Sequence, residues 1–185
     1  MDESELIAKA QEGDQAAYGE LMTKYYRTVE KFAFQCGVRL DDIGDVTQEV
    51  FIKLYRFLPQ FNQQRFTTWL YKITLNATRD YYRKEGREKL KRERFVINRF
   101  DSSEPSAEDQ VFLFEEDREL HEAMIRLDEK YRIPLILFYF QDISYQQIAD
   151  ILNMTMPAVK TRIFRAKELL KKEISLQSGG ASNGQ

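Results

Sequence analysis

Three groups of side chains have the types and spacing to do chemistry. Lys72, Asn76, Arg79 and Arg83 fall within about 60° of one another on a 3.6-residue helix. Cations at such positions can meet phosphates, and an amide can read a base edge. Leu75 and Tyr82 flank them, and an adjacent ring can stack on an unpaired base. An ordinary amphipathic helix with a basic solvent face is the alternative. The second group, Ala158, Thr161, Arg162 and Arg165, lies outward near the start of a helix, where side chains reach base edges in a major groove. Lys160, Lys167, Lys171 and Lys172 can meet phosphates beside them. The third group, Asp42, Asp45, Gln48 and Glu49, makes an acidic helical face suited to a basic protein partner.

Other chemistries find little support. One Cys and one His cannot build a Cys/His zinc site, and one Cys excludes an internal disulfide framework. His121 lies among Glu115, Glu116, Glu119 and Glu122 and reads as a surface histidine rather than a catalytic base. No Gly-rich phosphate loop or carboxylate motif with cofactor spacing is present. No metal and no cofactor are expected.

The elements that position these groups are helical. With 8 Gly and 4 Pro in 185 residues, turn-formers are too sparse for a sandwich or barrel. The net charge of −2 hides blocks: −4 over 1–60, +6 over 61–94, −7 over 95–130 and +3 over 131–185. Two basic blocks separated by acidic ones suggest two anion-binding surfaces, or solvated helix faces. No apolar run approaches a membrane span, and the acidic N-terminus lacks a signal-peptide core, so a soluble cytoplasmic protein without membrane insertion is expected.

Asp2 and Glu5 have capping-box spacing, and Gly13-Asp14 ends one helix and caps the next. Ala17, Tyr18, Leu21, Met22, Tyr25, Val29, Phe32, Ala33 and Cys36 form a helical core stripe. A third helix over 40–58 buries Ile43, Val46, Val50, Leu54 and Phe57 and stops at Pro59. A polar loop follows. Thr67 or Thr68 caps a fourth helix from Trp69, with Leu70, Ile73, Ala77 and Tyr81 inward. The charged stretch 85–100 can extend it, and 101–109 has linker composition. Phe112, Phe114, Leu120, Met124 and Leu127 suggest one helix, and 133–140 is either a buried helix or a strand.

Residues 142–174 read as a helix-turn-helix. Ser144 and Gln147 make a capping box, Asn153 suits a left-handed turn, and Thr155 caps a second helix with Pro157 near its start. Val159, Ile163, Ala166 and Leu170 face the core. The tail from 175 has no stripe and should be disordered.

Four segments, in order, carry a family resemblance: GDQAAYGELMTKYY (13–26), DVTQEVFIKLYRFLPQF (45–61), FTTWLYKITLNATRDYYRK (66–84) and SYQQIADILNMTMPAVKTRIFRAKELLKK (144–172). The chain resembles bacterial extracytoplasmic-function (ECF) sigma factors, the compact two-domain branch of the sigma-70 family.

The resemblance implies an all-α chain of two small helical domains joined by a flexible linker, the C-terminal one a winged-helix-like helix-turn-helix domain. Residues 1–88 would be region 2, 89–108 the linker toward the RNA exit path, 109–176 region 4, and 177–185 a disordered tail. It implies binding of core RNA polymerase clamp helices through Asp45, Gln48 and Glu49, with region 4 on the flap. The −10 element would be read and melted by Gln63, Gln64, Arg65, Lys72, Asn76, Arg79 and Arg83. The −35 element would be read by Ala158, Lys160, Thr161, Arg162 and Arg165. Promoter DNA and an anti-sigma factor complete the implied partners, and no catalysis is implied. A stand-alone helix-turn-helix regulator that does not bind polymerase is the alternative.

Overall fold

The computed structural model describes residues 2–62, 65–94 and 118–180, and no strand occurs among them. The helices group into two compact units, each with its own core.

The first unit holds four helices. In α1 (Glu3–Gln11), Asp2 accepts from the adjacent Glu3 N–H at 2.7 Å, not from the Glu5 N–H that a capping box uses. Gly13 takes φ 95°, a conformation that favours glycine. Asp14 then caps α2 (Gln15–Gln35) by accepting from the N–H groups of Ala16 and Ala17. Ala17, Leu21, Tyr25, Val29 and Phe32 are buried, whereas Tyr18 and Met22 are only half-buried.

In α3 (Leu40–Phe57), Ile43, Val46, Val50 and Leu54 are buried as the spacing predicts, joined by Thr47 and Phe51. Phe57 is not part of this stripe, being 45% exposed. The helix tightens into a 3₁₀ turn, Leu58–Gln60, which buries Leu58.

The fourth helix, α4 (Phe66–Arg94), starts three residues before the expected Trp69. Phe66 packs on Tyr25 and Phe61, and Thr68 is buried, so the first turn is held by packing rather than by a threonine cap. Its inner face is also rotated. Leu70 and Ala77 are buried as expected, but Tyr71, Thr74, Leu75 and Thr78 share that burial, while Ile73 and Tyr81 are only half-buried. The Thr74 and Thr78 hydroxyls donate to the carbonyls of Leu70 and Leu75, both at 2.8 Å, so burying them leaves no unpaired donor. The helix continues to Arg94, into the stretch expected as linker. Residues 95–108 lie outside the described residues, as do Phe112 and Phe114.

The second unit holds α5 (Arg118–Arg126), α6 (Glu129–Tyr139), α7 (Tyr145–Leu152) and α8 (Met156–Gly180). The ambiguous run 133–140 is helical as far as Tyr139. Residues Ile133 to Leu137, including Pro134, are all buried, the pattern of a helix enclosed on most sides. Arg132 closes the α5–α6 turn by donating to the carbonyls of Ile125 (2.9 Å) and Leu127 (3.1 Å).

The Ser144–Gln147 capping box forms, and Asn153 sits in the left-handed region at φ 53°. Thr155 Oγ1 accepts from the Ala158 N–H at the start of α8. Val159, Ile163 and Ala166 are buried and Leu170 is half-buried. Residues 175–180, expected as disordered tail, continue α8. The Ser175 and Ser178 hydroxyls donate to the carbonyls of Lys171 and Ile174 within this extension.

Candidate functional site

The first exposed surface is a groove of about 570 Å³ between α2 and α3. Asp45 and Gln48, both exposed, border it. Its walls are apolar: Tyr18, Met22 and Tyr26 from α2, and Phe51, Ile52 and Tyr55 from α3. Ile52 is 60% and Tyr55 51% exposed, an unusual setting for large apolar side chains. The Tyr18 hydroxyl donates to the Phe51 carbonyl and ties the two walls together, and burial pushes its pKa up to about 12. The recurrence of Tyr18, Met22 and Tyr26 every four residues marks this wall in the sequence.

Glu49 does not join Asp45 and Gln48 at the groove's lining. Lys53 holds it at 2.8 Å and also pairs with Asp80 of α4 at 3.1 Å. Asp42 likewise turns to α4, accepting from the Tyr81 hydroxyl at 2.7 Å. The expected acidic face is thus divided, with Asp45 and Gln48 at the groove and Asp42 and Glu49 engaged with other side chains.

The second surface lies on α4. Asn76, Arg79 and Arg83 are exposed and Lys72 is half-exposed. Asn76, Arg79 and Arg83 line a hollow of about 380 Å³ with Lys53, Phe57, Ile73 and Asp80. Phe57 and Ile73, expected in the core, instead form its apolar part. Tyr82 is 42% exposed and flanks the face, but Leu75, the other expected flank, is buried. Arg65 is exposed, whereas Gln63 and Gln64 lie outside the described residues.

Asp80 pairs with both Lys53 and Arg83, and the Lys53 hydrogen bond in particular holds its carboxyl below the usual range. Burial alone would lower the Lys53 pKa, but hydrogen bonds to Glu49 and Asp80 raise it above its ordinary value. Both groups stay charged at neutral pH, and Asp80 tempers an otherwise cationic face.

The third surface is the outward side of α8. Lys160, Thr161 and Arg165 are exposed, while Ala158 and Arg162 are half-exposed. Phe164, absent from the expected set, is 69% exposed between them. An isolated apolar ring on a basic helix suits a thymine methyl or the apolar part of a base edge. Lys160 and Lys167 lie over the rings of Tyr145 and Tyr139 at 5.6 and 5.2 Å. A hydrogen bond to Tyr139 raises the Lys167 pKa. No group of metal-ligating side chains occurs among the described residues.

These surfaces coincide with known family regions. The family model described as Sigma-70 region 2 matches residues 21–88, and that described as Sigma-70, region 4 matches 117–170. The ECF RNA polymerase sigma factor SigW of Bacillus subtilis (strain 168) is 29% identical over 180 residues, covering 91% of this chain and 94% of the relative. The ECF RNA polymerase sigma-E factor of Escherichia coli (strain K12) is 33% identical over 177 residues, covering 91% and 92%. Among solved structures, CnrH in complex with the cytosolic domain of CnrY aligns with a TM-score of 0.70 at 26% identity, over 92% of this chain and 96% of that one.

The chain belongs to the sigma-70 family, in its ECF branch. It is a promoter-directing sigma factor of RNA polymerase. The region 2 match decides against a stand-alone helix-turn-helix regulator. No described helix is long and apolar enough to cross a membrane.

Proposed function

We propose that the three surfaces divide the work of initiation. The α2–α3 groove, with Asp45 and Gln48 at its edge, docks the clamp helices of core polymerase. Apolar walls supply burial, and the carboxylate favours a basic partner. Glu49 instead supports the α4 face, through Lys53.

The α4 face reads the −10 element. Lys72, Arg79 and Arg83 follow the strand backbone, and Asn76 holds an unpaired base together with the loop that carries Gln63, Gln64 and Arg65. The outward side of α8 reads the −35 element through Ala158, Thr161, Arg162, Phe164 and Arg165, with Lys160 on the phosphates. Residues 1–88 act as the polymerase and −10 unit, 89–108 as the connection, and 109–176 as the −35 and flap-binding unit. The chain works in the cytoplasm by binding, not by covalent chemistry. The structural relative CnrH forms a complex with the cytosolic domain of CnrY, and an anti-sigma protein covering the groove would silence this chain.

One observation carries the reading: α3 has two exposed flanks. Ile52 and Tyr55 turn to the groove, while Lys53 and Phe57 turn to the α4 hollow. Docking on one flank therefore leaves the nucleic-acid face open.

Reconstitution with core polymerase on a promoter mapped by 5′-end sequencing after overproduction tests it. Ile52→Arg should lose core binding and transcription together. Arg79→Ala should keep core binding and lose transcription. Full transcription by both variants would refute the division of surfaces.

A further inference from the structure

We propose that Gln11, at the end of α1, is a positioning residue for promoter opening, its side-chain amide fixing the turn after α3 against which the first turn of α4 packs. This rests on the proposed −10 reading and adds a role for α1, which lies outside the 21–88 region 2 match.

The Gln11 Nε2 group donates to the carbonyls of Leu58 (3.1 Å) and Phe61 (2.7 Å). A glutamine amide has two N–H donors, and both are used. The Leu58 carbonyl also accepts from the Phe61 N–H at 3.0 Å, closing the 3₁₀ turn. Two carbonyls three residues apart therefore converge on one side chain from a helix 47 or more residues earlier.

The Phe61 ring carries this constraint into α4. It lies 4.8 Å from Trp69 and 5.7 Å from Phe66, both in the first turn of that helix. Phe66 also packs on Tyr25 at 5.2 Å, and the Tyr25 hydroxyl donates to Glu3 at 2.6 Å. Glu3 and Gln11 are the two ends of α1. The helix is thus a strut, anchored by Glu3 to Lys24 and Tyr25 and by Gln11 to the turn after α3. Leu6 and Ala10, both buried, seat it between those ends.

A strut of this kind acts through preorganisation. A helix face whose first turn is fixed beforehand loses less freedom when it takes up a single strand. Removing the two hydrogen bonds should therefore weaken capture of the single strand more than any other function.

The test uses reconstituted holoenzyme and two probes: a fluorescent single-stranded oligonucleotide with the non-template −10 sequence, and a −35 duplex. Gln11→Met keeps bulk without donors, Gln11→Glu places an acceptor against two carbonyls, and Gln11→Lys restores a donor. Met and Glu should weaken single-strand binding about tenfold, the loss expected for two hydrogen bonds. Lys should remain within about threefold of the parent, a shortfall smaller than one net hydrogen bond. All three should bind core polymerase and the −35 duplex unchanged.

Normal single-strand binding by Gln11→Met would overturn the proposal. So would equal losses in all three variants accompanied by lower thermal stability, because that marks a merely structural role. Asn76→Ala, measured in parallel, separates the two layers. If Asn76→Ala loses the strand and Gln11→Met does not, the strut alone fails. If neither loses it, the −10 reading fails and the strut with it.

Discussion

Lys53 of α3 stands 3.1 Å from the carboxylate of Asp80 on α4, and that carboxylate also holds Arg83. The contact joins α3 to α4 at the hollow that Asn76 lines. Asp80 is 42% and Lys53 30% exposed, so solvent screens the pair. Lys53→Ala should cost only about 0.2–1 kcal/mol in urea denaturation. Its larger effect should be on single-strand affinity, since Asp80 then competes more strongly for Arg83. Unchanged strand affinity with a stability loss above about 2 kcal/mol would contradict this.

Acid should act through the depressed carboxyls. Glu3 is held below its ordinary value by hydrogen bonds from Lys24 and Tyr25, and Asp80 chiefly by Lys53. A depressed folded-state pKa contributes stability that is present above the unfolded value and lost as pH falls through the folded one. The melting temperature should therefore fall below about pH 4.5, where unfolded carboxylates begin to bind protons. Glu3→Gln should lower it at neutral pH and flatten its acid limb. Parallel curves for parent and variant would show that Glu3 takes no part.

The divided acidic face predicts unequal charge reversals. Asp45→Arg should reduce core binding at least tenfold, mostly through slower association and a changed salt dependence. Glu49→Arg should act less on the core and more on the α4 face, because it releases Lys53. Circular dichroism should be unchanged for both, and surface plasmon resonance against immobilised core separates them. Equal effects would mean that the two carboxylates work as one patch.

Local chemistry was legible in the sequence. Ser144, Gln147, Asn153 and Thr155 each act within four residues of themselves, and each takes the expected role. The inward face of α4 was not legible. Thr74 and Thr78 satisfy their hydroxyls on their own helix, so their burial leaves no hydropathic trace. Ile73 faces a hollow because the neighbouring helices leave space there, which no local pattern encodes. The Lys53–Glu49 contact was readable as an i,i+4 pair. Its extension to Asp80, 27 residues on, was not.

On the −35 side, Arg165→Ala should cost about 1–3 kcal/mol on a cognate duplex and little on a scrambled one. Phe164→Ala should likewise cost more on the cognate duplex. Lys171→Ala should weaken both duplexes alike and reduce the salt slope by about one. Fluorescence anisotropy at several salt concentrations distinguishes these patterns. Uniform loss for Arg165→Ala would reduce it to a phosphate contact.

The account turns on base capture by the Asn76 face, and permanganate footprinting of the −10 region with reconstituted holoenzyme tests it most directly. Asn76 is exposed, so Asn76→Ala should spare the fold and core binding. Thymine reactivity should fall sharply, because an unpaired base without its hydrogen bonds no longer offsets an unpairing cost of a few kcal/mol. A pre-melted bubble should restore the signal. Parental reactivity on the intact duplex, from Asn76→Ala and from a Gln63/Gln64/Arg65 triple-alanine variant alike, would show that melting is done elsewhere.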